Sequence, residues 1–446
     1  MSAIPSQLVP AASQLGVDSF SQIKPQRVVI KPNLDTTYRP NGVNRITFKI
    51  PSFSNSFLDT SKSFLSFNVG YETSSNVTVT DQCRLNNGAP VFQRLTLKTS
   101  NGLVIDQISD YHILSQLISA TKQDSVAVSA QEGRDFESVF MDGSMKKESC
   151  LAQNLSTTGI PIVHYINMGL LSKHTSKWLP LSLMNGGGFA LELELLLSEN
   201  TAVLSQTGVV SSPVYRLTNI AYNMEIRTLD EALCKKFNQI ACSGDELRIG
   251  FKTMHSHSAI LNSTKNIMKI HESATSLDRV WNVFQNATNM NSLTRASAYD
   301  LIGAVGSAGD RVITRYNARI GSQFLYNDYI SESTAAEGNA VTISHVRNAL
   351  DFQDKPLVMQ FIDTATYKPS ARHYVQCLDF QYSGNSGFVN GISTSTPLEL
   401  YFELPAAYVS NDVICYSFAE VSYDLVVKGG VVHCEEVRPG SNSVYS

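Results

Sequence analysis

Two glutamates and two histidines are the residues whose types and spacing come nearest to chemistry in this sequence. In Leu191-Glu192-Leu193-Glu194-Leu195 two carboxylates stand two residues apart, and so on one face of a strand. Paired carboxylates can cleave glycosidic bonds when one is kept protonated and the other ionised. Here leucines alternate with the glutamates, which places Leu inward and Glu on the solvent face, where no acid–base couple is expected. His255-x-His257 has the same strand spacing and offers two imidazoles to a metal, with His271, or an Asp or Glu from elsewhere, as the third ligand. Metal sites need three or four convergent ligands; the sequence supplies two, and a plain surface pair is the expectation.

Other motifs carry less. Gly303, Gly306 and Gly309 form a glycine-rich stretch without the Gly-x-Gly start of a dinucleotide fold or the Lys-Ser/Thr that closes a phosphate loop. It reads as a flexible loop. No Gly-x-Ser-x-Gly elbow is present. No catalytic, cofactor-binding or metal residue is therefore assigned, no cofactor is expected, and the chain is not expected to be an enzyme.

The elements around these residues are mostly strands. Ile46, Phe48 and Ile50 alternate with Arg45, Thr47 and Lys49, and Leu65, Phe67, Val69 and Tyr71 alternate with smaller or polar neighbours. This period of two marks half-buried antiparallel strands. Further strands are predicted at Leu95–Lys98, Leu103–Ile108, Leu191–Leu197 and Leu217–Ile226, separated by turns at Asn86–Gly88, Ser100–Gly102 and Asn185–Gly188. Helices are few. Asp110 is placed to cap one that runs to Lys122 and carries Tyr111, Leu114, Leu117 and Ile118 on one face. A second is predicted over Asp230–Ile240, where the domains join, and a third over Ile343–Leu350.

The composition sets limits. The chain has 446 residues, 43% of them hydrophobic and 17% charged, with net charge −4. Sparse charge fits a surface covered by other subunits, whereas about a quarter is usual for a soluble chain. No basic run exists beyond pairs such as Lys146–Lys147 and Lys235–Lys236, so sequence-specific or charge-driven nucleic-acid binding is not expected. Seven cysteines (Cys83, Cys150, Cys234, Cys242, Cys377, Cys415 and Cys434) form no Cys-x-x-Cys. They read as reduced, mostly buried thiols. The N-terminus lacks the pattern of a signal peptide, and no stretch of about 18 apolar residues is present. The sequons at Asn76, Asn154, Asn262 and Asn286 read as chance matches.

An internal repeat organises the whole. Tyr215–Arg227 parallels Tyr416–Lys428 without a gap: Tyr215 matches Tyr416, Leu217 matches Phe418, Ile220 matches Val421, Tyr222 matches Tyr423, Met224 matches Leu425 and Ile226 matches Val427. Upstream, Leu191–Leu195 parallels Leu398–Phe402, and the strand pair Leu95–Ile108 with its helix parallels Tyr316–Tyr329 with the Ile343–Leu350 helix. Three pairs in one order indicate duplication. The expected fold is all-β, two tandem jelly-roll β-sandwiches with a few short helices. Its expected parts are an N-terminal arm over 1–28, a first roll over 29–232, a linker helix region over 233–240, a second roll over 241–432 and a tail over 433–446. The arm reads either as a disordered terminus or as a segment that orders against a neighbouring assembly or an internal surface.

Three stretches carry a family resemblance: Phe92–Leu114, Leu217–Asp230, and Pro397–Leu404 with Tyr416–Lys428. With them the chain resembles the double-jelly-roll major capsid proteins of polinton-like viruses and virophages, a lineage that includes adenovirus hexon. The segments Gln123–Leu151 and Ser273–Gly309 lie outside the resemblance and read as loops. The resemblance implies a homotrimer of pseudohexagonal outline that tiles an icosahedral DNA virus shell, with itself and neighbouring trimers as its partners. It also implies penton and minor capsid proteins as partners, an internal membrane or minor proteins beneath the base, and a place in the virion after assembly in the host cytoplasm or nucleus. The competing expectation is a tandem jelly-roll carbohydrate-binding or glycoside-cleaving protein. That class uses Trp platforms and convergent acids, and this chain has two Trp, Trp178 and Trp281.

Overall fold

A computed structural model of the chain describes residues 24–34, 37–72, 82–85, 91–122, 159–173, 178–184, 189–207, 214–229, 235, 239, 246–272, 274, 276–286, 313–332, 340–349, 375–380, 393, 396–405, 413–428 and 431–436. The first half contributes β1 (Lys24–Ile30), β2 (Arg45–Pro51), β3 (Ser56–Glu72), β4 (Gln82–Leu85), β5 (Phe92–Thr99), β6 (Val104–Ile108), helix α1 (Tyr111–Lys122), β7 (Ile160–His164), β8 (Trp178–Pro180), β9 (Phe189–Leu197), β10 (Leu204–Thr207) and β11 (Val214–Thr228). The second half contributes β12 (Leu247–Leu261), β13 (Lys265–Ile270), β14 (Leu277–Asn286), β15 (Arg315–Ile320), β16 (Gln323–Phe324), β17 (Ile330–Ser331), helix α2 (Ala340–Ala349), β18 (Val375–Asp379), β19 (Leu398–Glu403), β20 (Val413–Lys428) and β21 (Val431–Glu436).

The sheets repeat strand for strand. One sheet of the first half runs β1-β11-β3-β7 and its counterpart in the second runs β12-β20-β14-β18; the other sheets run β2-β9-β5-β6 and β13-β19-β15-β16. Along these paths, substituting each strand of the first half by its equivalent reproduces the second, with α1 and α2 at the same point in the chain; β4 and β10 pair with each other, and β8, β17 and β21 add to β3, β15 and β20. This is jelly-roll connectivity, present twice. The three repeated segments fall on equivalent elements: β11 with β20, β9 with β19, and the β5–β6 pair with β15–β16.

Alternation explains the sheets that sit half in water. Ile46, Phe48 and Ile50 on β2 and Leu65, Phe67 and Val69 on β3 are all buried. Aromatic rings bridge the two layers: Phe67 meets Phe92 at 5.4 Å and Phe48 meets Tyr222 at 6.3 Å in the first roll, and Phe284 meets Phe402 at 5.4 Å in the second. Each such ring stabilises by about 1.5–3 kcal/mol through area removed from water. Tyr215 is fully buried and donates its hydroxyl to the Ser198 carbonyl at 2.6 Å, which pins the start of β11 to the end of β9.

Several expectations need correction. β1 begins at Lys24, so the end of the expected 1–28 arm belongs to the first roll; residues 1–23 lie outside the described residues. Its Pro25, Gln26 and Arg27 are exposed. Backbone pairing with β11, from Lys24 opposite Thr228 to Ile30 opposite Tyr222, holds the strand without apolar alternation. β21 runs across residue 433, the expected start of the tail, because a hairpin folds it back onto β20. β14 lies inside the segment Ser273–Gly309 that was read as a loop. Both its faces are covered, and Asp278, Val280, Trp281, Asn282, Val283, Phe284 and Gln285 are all buried, so it shows no period of two. Helix α2 starts three residues before the expected Ile343. The expected helix over Asp230–Ile240 lies outside the described residues except Lys235 and Gln239, which are helical and exposed. Asp110 precedes α1 as expected, but its carboxylate accepts a hydrogen bond from Ser256 at 2.6 Å, across to the second roll.

Candidate functional site

The outer faces of the β2-β9-β5 and β13-β19-β15 sheets carry one charge pattern twice. The central strand of each is acidic and both its neighbours are basic. In the first roll Lys49 and Lys98 stand opposite Glu192, and Thr47 and Thr96 stand opposite Glu194. In the second, Lys269 and Arg319 stand opposite Glu399, Ile267 and Asn317 opposite Tyr401, and Lys265 and Arg315 opposite Glu403. Opposite charges in directly facing positions stabilise a sheet by roughly 0.2–1 kcal/mol a pair.

Glu194 does not sit on an open solvent face as the alternation implied. It is 7% exposed, with Lys98 at 2.8 Å, Arg45 at 3.5 Å and Arg94 at 3.8 Å. It does point away from the core, but long basic side chains fold over it. Burial pushes its carboxyl up, and the three cations outweigh that and hold it below the usual carboxylate range. A glycosidase acid needs the reverse, a carboxyl held protonated. In the second roll Tyr401 donates its hydroxyl to Glu399 at 2.7 Å, and with Arg319 and Lys269 it brings Glu399 down to about 2.

The third group beside His255 and His257 is the carboxylate of Glu272, while the expected third ligand, His271, is exposed. Nδ1 of His255 lies 2.8 Å from one Glu272 oxygen and Nε2 of His257 lies 3.3 Å from the other. Among the described residues no group of three His, Cys, Asp or Glu is placed to hold a metal ion. Trp178 and Trp281 are both buried. Cys377 and Cys415 are buried free thiols, and burial pushes Cys415 up to about 12. The Gly303–Gly309 stretch and Cys150 lie outside the described residues.

Sequence reading missed the joint between the rolls. It lies where β6 of the first roll meets β12 of the second. Asp106 of β6 accepts from the Thr253 hydroxyl at 2.7 Å and from the Leu170 amide at 3.1 Å. Ser256 donates to Asp110, and the Cys434 thiol donates to the Ile105 carbonyl at 3.4 Å. Gly169 makes this possible: its φ is +83°, and a Cβ there would stand 2.2 Å from the Asp106 Oδ2. Gly169→Ala is expected to lower stability by about 2–3 kcal/mol, from positive-φ strain plus displacement of a buried carboxylate, as read by urea denaturation. No single signal in the sequence marks Asp106, because its partners lie more than 60 residues away.

The equivalent strands carry exposed side chains among the described residues. Gln323 and Phe324 of β16, the counterpart of β6, are exposed, and so is much of β1, the counterpart of β12, including Val29 at 57%. Phe324 packs against Tyr401 at 5.5 Å with the Arg319 guanidinium over both rings, and Ile267 beside them is 57% exposed.

Solved structures share this fold over nearly the whole chain. The major capsid protein of Faustovirus aligns with a TM-score of 0.57 at 9% identity, covering 92% of each chain. The PBCV-1 protein VP54, as fitted into a reconstruction of the virophage Sputnik, aligns at 0.58 and 10% identity over 95% of this chain and 98% of its own. The mavirus major capsid protein aligns at 0.51 and 11% identity over 94% and 93%. At such identities the likeness is one of fold. No protein-family model matches the chain, and no curated protein does.

Proposed function

We propose that this chain is a major capsid protein that builds the shell of an icosahedral DNA virus from pseudohexagonal homotrimers. The observation that carries the reading is the pairing of surfaces. Inside the chain β6 of one roll packs against β12 of the next, while their counterparts β16 and β1 present exposed side chains. If β16 of one copy meets β1 of another in the same way, the contact is head to tail, and repetition closes a ring. Three chains of two rolls make six similar sandwiches, the outline a hexagonal lattice needs. Closure also buries the edge strands, which otherwise invite uncontrolled pairing. Proteins of the same fold that bear the name major capsid protein support the reading.

The domain plan goes with it: an arm before Lys24, two rolls bounded by the strand ends at Lys24 and Glu436, a linker near 233–240 and a short tail. Neighbouring trimers are the first partners, then penton and minor capsid proteins, with the virion as the destination. A net charge of −4 argues against a base that grips DNA by charge. No helix among the described residues is long and apolar enough to cross a membrane; the base of the trimer is the surface proposed to meet an internal membrane or minor proteins.

Size-exclusion chromatography with light scattering tests the reading. The expected mass is three chains, and Phe324→Glu is expected to give one chain, because buried aromatic anchors are each worth about 2 kcal/mol or more at an interface. Three-chain mass retained in Phe324→Glu would remove the β16 contact from the proposal. A wild-type monomer that binds glycans would replace the whole reading with the carbohydrate one.

A further inference from the structure

The joint between the rolls gathers more ionisable groups than its hydrogen bonds require. His255 lies on β12 at its centre. Its Nδ1 meets one oxygen of Glu272, after β13, at 2.8 Å while His257 holds the other, the Tyr423 ring of β20 lies 5.9 Å away, and Thr253, two residues along β12 on the same face, donates to Asp106 of β6; the charges of Asp106 and of Glu436 from β21 also act on the imidazole. One imidazole thus stands among three carboxylates drawn from both rolls. Asp106 is fixed by Thr253, by the Leu170 amide and by the close approach of Gly169, so it cannot swing out to water; burial raises its carboxyl above the usual carboxylate range, and those two hydrogen bonds and the charge of His255 work against the rise, so its ionised form leans on the imidazolium.

We propose that this joint is a pH-sensitive latch, in which the imidazolium of His255 ties Asp106 of the first roll to Glu272 and Glu436 of the second, and loss of its proton loosens β6 from β12. The attraction is electrostatic and partly buried, so it is screened less than a surface pair. Burial by itself would lower the His255 pKa, but the Glu272 bond, with Glu272, Asp106 and Glu436 as neighbours, raises it above the ordinary value. A group raised in the folded state contributes in full below its unfolded pKa, and the contribution is lost as pH rises through the folded one. Glu272 is held at about 2, since the two histidines outweigh its burial, and it stays ionised throughout this range. The joint is therefore tightest in mild acid and loosest in alkali. The latch acts within one chain and does not depend on the trimer.

Hydrogen exchange of the full-length protein between about pH 5.5 and about pH 9, corrected for intrinsic rates, tests it. Peptides covering β6 and β12 are compared with β9 in the same sample as an internal standard. Their relative protection is expected to fall by roughly threefold to tenfold as pH rises, the difference between a charge-assisted and a neutral hydrogen bond at the joint. His255→Gln is expected to abolish that dependence. Glu272→Gln keeps the imidazole and removes its main partner, so the midpoint is expected to move to lower pH; this variant carries the test should His255→Gln not fold. A flat wild-type profile, a dependence that survives in His255→Gln, or an unmoved midpoint in Glu272→Gln would each overturn the latch.

Discussion

Arg227→Met is expected to destabilise the first roll by roughly 3–5 kcal/mol, the cost of leaving a buried charge without its partner. Arg227 lies near the end of β11 with its side chain 8% exposed. Its Nε and Nη2 donate to the same Asp59 oxygen at 3.2 and 3.1 Å, and the Asp59 side chain is 6% exposed. The guanidinium also lies 5.9 Å from the centre of the Trp178 ring, and Glu225 approaches to 3.5 Å. Methionine retains much of the stem but none of the charge. Asp59 then keeps the Ser61 hydroxyl at 2.6 Å and loses both guanidinium bonds. The double variant Arg227→Met with Asp59→Leu is expected to recover most of the loss, since an apolar pair of similar volume replaces a buried ion pair at little cost. The chain has two Trp, one in each roll. In a Trp281→Phe background the fluorescence of Trp178 follows urea unfolding of the first roll alone. An unchanged midpoint in Arg227→Met would mean that water reaches Asp59 and the pair is not buried in solution.

Lys252→Met is expected to produce a loss of similar size, about 3 kcal/mol, in the second roll. The Lys252 ammonium stands 2.8 Å from Asp278 and 3.4 Å from Glu420, which are 0% and 2% exposed. Ser276 and Ser422 donate to Asp278 at 3.0 Å, and Arg279 bridges Glu420 at 3.7 Å and Asp379 at 3.3 Å. Removing the ammonium leaves the buried Asp278 carboxylate to the two serine hydroxyls, and Glu420 to a guanidinium that it shares with Asp379. Burial would lower the Lys252 pKa, but Glu420 and Asp278 raise it above its ordinary value. A raised ammonium stabilises in full below its unfolded pKa, so the deficit of Lys252→Met is expected to stay constant from neutral pH to about pH 9. Trp281 in a Trp178→Phe background reports it. Lys252→Arg, which keeps the charge, is the control and is expected to lose less. A deficit that vanishes within that pH range would mean that Lys252 is not the charge that holds Asp278 and Glu420.

Both predictions concern groups that the local pattern could not rank. Arg227 lies in the repeated segment, where sequence reading aligned it with Lys428 as one more strand residue. Lys252 stands in the sequence as a single cation between Phe251 and Thr253, although Asp278 and Glu420 both lie in strands that pair within its sheet. A buried ion pair is defined by what covers it, and the cover comes from distant parts of the chain.

The duplication and the β-architecture were written in the order of residues. A period of two at Ile46–Ile50 and Leu65–Val69 needs only one wet face to be visible, and the match of Tyr215–Arg227 with Tyr416–Lys428 marks equivalent strands, β11 and β20, although an irregularity between Thr218 and Ala221 shifts the phase of β11 and none interrupts the pairing of β20 with β12. The tertiary structure alone decided the rest. β14 was hidden because covering both faces of a strand erases alternation, and β1 because an edge strand can be held by backbone pairing without any apolar pattern. The reach of Glu272 to both histidines, the cations over Glu194, and the burial of Asp106 against Thr253 follow from which strands become neighbours. Local spacing carries no record of that, because it is settled by how the sheets stack and how the two rolls meet.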